Sequence, residues 1–595
     1  MSILTTYQAW IVLGLVALVV VSLLFQKVKP ALSFMGGAVV LVLLGIITPE
    51  KMLSGFANKQ IATIFILIFI TSALRKRFGI MELIDKFFRG VRRPRVFILR
   101  MSVVVAGLSS VLNNTPIVAL FIPYIQTWGK RAGIHPSKFL IPLSFMAMLG
   151  GMITLIGTST NLVLNGFLEQ KGEPLFQLTD FLIPGLLVTI AGLIYLLSIG
   201  YRLLPDRTDV MDEFSANQRE YLVETKIKEG SSIVGKTISE AGLRNLRGVF
   251  LLEIIRKGRN ISPVGPDEEI LAYDSLVFAG NIETVVDLVD ANHGLYVNEH
   301  TSFEQTEERQ IIEAVIPSNS DMSGKIVREL DFRNRYDAGI IAIHRNGERL
   351  SGKIGDIRIQ SGDLLLLAVG KRFLENEKAI RDLYLVSQHK EYEARPLLPK
   401  MIVGLTAVVL AVFGLSGSID LFSAIMVLLG VMGITGMISL KDLREEMDFS
   451  LLLLLVGALS LGEAFLNSGA SALVSDGILS LFGNEYLWQG IVGLYVLTFV
   501  LTSFISNAAA VSIAFPIAYS LSQHYGVPGI PIYLAIAFAA SCAFATPVGY
   551  QTNIMVYGPG RYRFGDFLKV GLPLSIIYSL LALGYIFKAY NIPIV

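Results

Sequence analysis

An apolar run long enough to cross a bilayer, Ile532 to Val556, carries Thr546-Pro547-Val548-Gly549-Tyr550-Gln551-Thr552-Asn553 at its middle. About 20 apolar residues span the hydrocarbon core as a helix. A Pro, a Gly and several polar side chains there break that helix. Such a break persists only where protein or a water-filled cavity satisfies the freed backbone. The first half of the chain holds a counterpart, Thr154-Leu155-Ile156-Gly157-Thr158-Ser159-Thr160-Asn161, at an offset of about 392 residues. Both read Thr-x-x-Gly-x-x-Thr-Asn. Upstream of each lies a second polar island, Asn113-Asn114-Thr115 and Ser506-Asn507-Ala508, and the same offset superposes Pro123 on Pro516. Paired interruptions in two halves point to a binding site at a repeat interface.

The composition agrees: 53% of residues are hydrophobic and 16% charged, the balance of a polytopic membrane protein with one water-soluble part. A net charge of +2 implies no nucleic-acid partner. The single cysteine, Cys542, excludes an internal disulfide and a Cys/His zinc cluster. The start of the chain lacks a basic n-region and reads as a retained first span.

Apolar runs divide the chain into about ten full spans and two re-entrant hairpins, five spans and one hairpin in each half. The expected organisation is a first membrane repeat over 1–201, a soluble insert, and a second, inverted membrane repeat over 400–595. The hairpin tips fall at Asn113–Thr115 and Ser506–Ala508. The insert repeats internally at an offset of 89: Gly235-Lys236 matches Gly324-Lys325, Arg244 matches Arg333, Arg256 matches Arg345, and Gly258 matches Gly347. It reads as two α+β modules, 202–300 and 301–399. Each has alternating strands, one helix (near Ile238–Leu243 and Ile326–Leu330) and a hairpin. The 75–95 loop is strongly basic (Arg89, Arg92, Arg93, Arg95), whereas the linker Asn467–Tyr486 has no Lys or Arg. Positive charge inside puts the first loop and the insert in the cytoplasm and the linker outside, as inversion requires.

A broken helix offers free N–H groups, which suit an anion, and free carbonyls, which with Thr, Ser and Asn oxygens suit a hard cation such as sodium. None of the four motifs contains Lys, Arg, Asp or Glu. An anion held there needs a co-bound cation, so cotransport follows. Thr546-Pro547-Val548-Gly549-Tyr550 imitates a potassium filter, but Pro547 intrudes and the partner stretch at Thr154 lacks the pattern. Glu463, Asp180 and Asp566 read as structural rather than as ligands. A sodium/proton antiporter would want a carboxylate inside a break, a ligand-gated channel has only the filter imitation in its favour, and no nucleophile–base pair suggests an enzyme.

The tips and breaks together resemble the divalent anion/sodium symporter family of the ion transporter superfamily, whose hairpin tips read Ser-Asn-Thr. Asn114 and Asn507 match the central position; Asn113 and Ala508 depart from it. The resemblance implies a homodimer in the cell membrane working by an elevator-type mechanism, with sodium driving uptake of sulfate or a dicarboxylate. It places the substrate at Asn113, Asn114, Thr115, Thr158, Ser159, Ser506, Asn507, Thr546, Pro547 and Gln551. One sodium site falls to Asn114, Gly157, Thr160 and Asn161, and a second to Asn507, Ala508, Gly549, Thr552 and Asn553. The insert resembles tandem RCK C-terminal (TrkA-C) domains through Gly235-Lys236, Arg256-Lys257-Gly258 and Pro263, and through Gly324-Lys325, Arg345-Asn346-Gly347 and Ser361-Gly362-Asp363. That resemblance implies regulation, with Arg256 and Arg345 as candidates to meet a cytosolic nucleotide such as cyclic di-AMP.

Overall fold

Membrane helices must satisfy their backbone internally, so where the apolar runs are interrupted the chain either caps a helix or starts a new one. The computed structural model describes residues 2–25, 28–78, 84, 87–88, 90–91, 93–207, 222–243, 246, 249–257, 259–261, 264–280, 295–297, 310–317, 320–350, 354–370, 373, 382–386, 397–415 and 418–594. Arg89, Arg92, Arg244, Gly258 and Pro263, named above, lie outside the described residues. The first half comprises helices α1 (Ser2–Phe25), α2 (Pro30–Leu43), α3 (Pro49–Ser54), α4 (Lys59–Arg77), α5 (Pro94–Ser109), α6 (Asn114–Ala132), α7 (Leu140–Gly151), α8 (Ser159–Lys171) and α9 (Leu182–Tyr195).

Ten strands follow in two five-stranded antiparallel sheets. The first holds β1 (Leu222–Ile227), β2 (Val249–Arg256), β3 (Arg259–Ile261), β4 (Ser275–Gly280) and β5 (Leu295–Val297). The second holds β6 (Gln310–Val315), β7 (Ala338–Arg345), β8 (Glu348–Arg349), β9 (Leu364–Val369) and β10 (Tyr384–Leu385), with the short helix α10 (Phe332–Tyr336) before β7. Strand order is β3-β2-β4-β1-β5 in one and β8-β7-β9-β6-β10 in the other, the same topology twice. Register shifts fall at Leu251/Glu253 and at Ile340/Ala342, and isolated bridges at Thr237–Glu269 and Ile326–Arg358. Each pair is related by the offset of 89 seen in the sequence. A bulge bends its strand and re-aims the side chains beyond it, so its repetition gives both sheets the same curvature. The sheets meet through Leu252, Val277, Ile341, Ala342, Leu366 and Ala368. One sequence expectation fails here: Ile238–Leu243 is a series of turns, and its partner Val327–Leu330 is a 3₁₀ helix. Neither segment, at four to six residues, is long enough to recover the cost of helix nucleation.

The second half comprises α11 (Leu397–Leu415), α12 (Leu421–Ile434), α13 (Leu440–Glu446), α14 (Phe449–Asn467), α15 (Ala470–Phe482), α16 (Leu487–Thr502), α17 (Asn507–Tyr525), α18 (Ile530–Ser541), α19 (Gln551–Tyr557) and α20 (Phe564–Ala589). Its lengths repeat the first half. Helices α2 and α12 have 14 residues, α4 and α14 have 19, α5 and α16 have 16, α6 and α17 have 19, and α7 and α18 have 12. Both 19-residue helices at the tips end on a left-handed glycine, Gly133 and Gly526. The packing is reciprocal: α2 lies on α14 and α12 on α4, while α8 lies on α17 and α6 on α19.

Among the described residues six helical segments are long and apolar enough to cross a membrane: Tyr7–Phe25, Pro49–Leu74, Leu182–Leu203, Leu397–Gly414, Phe449–Asn467 and Phe564–Ala589. The sequence expectation is about ten spans, two of them broken, and these six are its long unbroken ones. The other four runs are α2 and α12, which stop after 14 residues, and the two runs split by the Thr-x-x-Gly-x-x-Thr-Asn breaks. Residues 467–486 are also more than a linker: α15 turns its small and apolar face, Ser471, Ser475, Ile478 and Leu479, into the core, at helical spacing.

Candidate functional site

Each break is built from the same set of bonds. In the first, Thr154 Oγ1 donates to Ser110 O at the tip and accepts from the backbone N–H groups of Ile156 and Gly157, both at 3.2 Å. Asn161 Nδ2 reaches back to Thr154 O at 3.4 Å. In the second, Thr546 Oγ1 donates to Ser503 O and accepts from Gly549 N at 3.1 Å, and Asn553 Nδ2 donates to Thr546 O at 3.0 Å and to Ala543 O at 2.8 Å. The glycine stands where the tip's backbone passes. A Cβ on Gly157 would lie 2.5 Å from Gly151 O and 2.6 Å from Ser109 O, and one on Gly549 2.6 Å from Thr502 O. The motif therefore ties a hairpin tip to a helix break: Thr binds the tip, Gly lets it approach, and Asn closes the loop.

The tip of one half also meets the break of the other. Asn114 Nδ2 donates to Tyr550 Oη at 2.7 Å, and Thr115 Oγ1 donates to Gln551 Oε1 at 3.2 Å. Thr158, the N-cap of α8, faces the same Tyr550 hydroxyl and donates to Thr160 Oγ1 at 3.2 Å. Ser159 opens α8 half-buried, and Pro547 is buried in the second break. Asn113 and Ser506 are exposed, and their side chains cap α6 and α17 by accepting from Thr115 N and Ala509 N. Asn114, Thr160, Asn161, Asn507, Thr552 and Asn553 are all buried, and Ala508 is half-buried.

The halves differ in what their oxygens do. Ser109 Oγ, Asn114 Oδ1 and Asn161 Oδ1 are buried without a hydrogen-bond partner. At the three matching positions of the second half, the single hydroxyl proton of Thr502 is shared between Asn507 Oδ1, at 2.9 Å, and Ala540 O, and Ser144 Oγ donates to Asn553 Oδ1 at 2.6 Å. Ser144 also meets Thr552 Oγ1 at 2.8 Å. Among the described residues the unpartnered buried hydroxyls of the second half, on Ser475, Tyr495, Tyr533, Ser541, Ser575 and Tyr578, lie outside its motif. Among the described residues no cluster of three or more His, Cys, Asp or Glu could hold a metal. Neutral oxygens alone suit a monovalent hard cation better than a transition metal.

A family comparison decides the class. The citrate transporter family model matches residues 20–526 and 423–594. The chain belongs to the citrate transporter family. Among similar proteins is one of Chlamydomonas reinhardtii that carries the name of a sulfur deprivation response regulator. It is 35% identical over 562 residues, covering 91% of this chain and 95% of that protein. An uncharacterized transporter of Synechocystis is 32% identical, covering 97% and 96%. A protein of Chlamydomonas reinhardtii named sodium/sulfate cotransporter 2 is 24% identical, covering 91% and 85%. A multi-pass membrane transporter is thereby established, and the resemblance to divalent anion/sodium symporters fits it. The tandem RCK C-terminal assignment has no such support.

Within this family member, Thr154, Ser109 and Thr502 were not among the residues nominated from sequence, and neither were Tyr550, Ser144 and Tyr384. Tyr550 sits in the motif at the position of Thr158, and that repeat offset was the available signal. Ser144 is a lone serine in the apolar helix α7. Tyr384 comes from the second sheet, where its hydroxyl accepts from Gln551 Nε2 at 2.9 Å. The same sheet sends Val315, Leu364 and Val386 into the helical core, and Gln126 Nε2 of α6 donates to Glu313 Oε2 at 3.2 Å. The two arginines nominated for a nucleotide are engaged internally. Arg256 forks onto Asp274 at 3.0 and 2.8 Å, and Arg345 onto Asp363 at 2.7 Å twice. Both aspartates are buried. Burial pushes the Asp363 carboxyl up, and the Arg345 guanidinium opposes that shift. A bidentate pair of this kind holds a hairpin to its neighbouring turn. Glu463 is buried too, and Lys171 Nζ pairs with it at 2.7 Å.

Proposed function

We propose that the chain is a sodium-coupled symporter of a small divalent oxyanion, with sulfate the favoured substrate. The observation that carries this reading is the meeting of Asn114 and Thr115 with Tyr550 and Gln551. Two helix interruptions from opposite halves there enclose one polar site without a charged side chain in the motifs. Helix α6 and helix α8 point their N-termini into this region, and their free N–H groups and partial positive charge favour an anion. The unpartnered oxygens of Ser109, Asn114 and Asn161 offer the neutral ligands that a sodium ion takes. The cation then supplies the positive charge that the anion requires and the motifs lack. Relatives named sodium/sulfate cotransporters and a sulfur deprivation response regulator favour sulfate over citrate, for which the family is named. Alternating access in this reading is of the elevator type, one group of helices carrying the site against a fixed scaffold. In this reading the chain works as a homodimer, residues 202–399 face the cytoplasm, and the second sheet, leaning on Gln551, regulates transport.

Proteoliposomes containing the purified protein, offered radiolabelled sulfate, succinate or citrate in sodium or choline medium, test it. Sulfate uptake that needs external sodium is the expected result. Equal uptake in the two media would refute sodium coupling, and uptake of citrate or succinate in preference to sulfate would refute the substrate.

A further inference from the structure

We infer that the two sodium cradles are unequal: the first takes a cation directly, and the second takes one only after two internal hydrogen bonds break. This rests on the sodium-coupled reading above and adds to it the order in which the cradles fill.

The first cradle gathers oxygens around two glycines. A Cβ on Gly151 would sit 3.1 Å from Asn114 Oδ1 and 3.2 Å from Gly157 O, and one on Gly157 would meet Gly151 O and Ser109 O. The two amide groups are oriented by their nitrogens. Asn114 Nδ2 is committed to Tyr550, and Asn161 Nδ2 to Thr154 O, which leaves each Oδ1 buried with no donor facing it. Asn114 is 1% exposed and Asn161 0%. Buried acceptors without a donor are destabilising, and a cation relieves them.

In the second cradle the same positions carry bonds. Ser144 occupies Asn553 Oδ1, and Thr502 occupies Asn507 Oδ1. Ala508 stands where the first half has Thr115, so this position of the second tip offers no hydroxyl. A cation entering here competes with two hydroxyl protons for the asparagine oxygens. Each such bond contributes a factor of roughly 2 to 10, so sodium is expected to bind the second cradle roughly 4- to 100-fold more weakly than the first.

Saturation binding of ²²Na to the purified full-length protein in sulfate-free buffer measures this directly. The expected isotherm has two phases, with one equivalent per protomer in the tight phase. Asn161→Ala removes the tight phase. Ser144→Ala frees Asn553 Oδ1 and strengthens the weak phase severalfold, and it does not depend on whether the Asn161 variant folds. Two equivalents bound in a single phase, or a Ser144→Ala isotherm identical to the parent's, would overturn the inference while leaving sodium coupling intact. A protein that binds no sodium, and whose sulfate uptake is the same in choline, would overturn the functional reading itself.

Discussion

The two breaks share a frame and differ in their free oxygens. In both, a Thr hydroxyl holds the tip's carbonyl, a Gly admits the tip, and an Asn nitrogen closes on the Thr carbonyl. In the first, the asparagine oxygens point at nothing that can donate; in the second, Ser144 and Thr502 fill that role. The second break, 542–550, is also two residues longer than the first, 152–158. It is buttressed from outside by the second sheet, where Tyr384 meets Gln551, Asn346 Oδ1 accepts from Tyr557 at 2.9 Å, and Glu348 pairs with Arg563 at 2.7 Å. A duplicated architecture can thus keep the bonds that shape a break while the pairing of the asparagine oxygens in its copies diverges.

The comparison can be broken most forcefully at the shared frame. Gly157→Ala and Gly549→Ala each drive a Cβ into backbone carbonyls, and overpacking of this kind costs about 1–3 kcal/mol. Both variants should lose sodium-dependent sulfate uptake and melt at lower temperature. Full activity in either would mean that its break is not built on the tip. A smaller effect belongs to the buttress. Tyr384→Phe removes one hydrogen bond, worth about 0.5–1.5 kcal/mol. The initial rate of uptake should rise by about two- to fivefold with unchanged sodium dependence, because the second break is released from the sheet. An unchanged rate would show that the contact does not restrain transport.

A separate effect, on stability and not on transport, is that of pH on the same sheet. His344 of β7 is buried, and burial first, then the charges of Arg561 and Arg349, lower its pKa to about 4. An unfolded histidine titrates near 6.5. Between these values the unfolded chain binds the proton and the folded chain does not, so stability is complete above about pH 6.5 and falls as pH drops towards 4. The loss should reach about 2–3 kcal/mol at pH 4.5. Thermal melts of the solubilised protein at pH 7.5 and 4.5 measure it. His344→Gln should flatten the difference, and an unaltered pH dependence in that variant would assign it to other groups.

Much of this architecture was legible because it is written in repeated local chemistry. The Thr-x-x-Gly-x-x-Thr-Asn motif marked both breaks, and the offset of 89 marked both modules; the structure adds that their bulges obey the same offset. What escaped has physical reasons. Ser144 is a single hydroxyl in an apolar helix, and nothing local distinguishes it from a packing serine. Tyr384 reaches Gln551 across 167 residues, a contact that no local pattern encodes. Asn467–Tyr486 was classed by its missing positive charges, although Ser471, Ser475, Ile478 and Leu479 already carried a helical period. Hydropathy alone also does not register that α2 and α12 stop after 14 residues.

The central claim is that sodium is held first by the oxygens of the first half. The direct test is the sodium concentration that half-fills the tight phase of ²²Na binding, measured side by side on purified Asn114→Ala and Asn507→Ala. Asn114 Oδ1 is unpartnered, whereas Asn507 Oδ1 already accepts from Thr502. Asn114→Ala should therefore raise that concentration about tenfold or more, equivalent to about 1.4 kcal/mol, and Asn507→Ala less than about threefold. Equal shifts in the two variants, or a larger one for Asn507→Ala, would contradict the account.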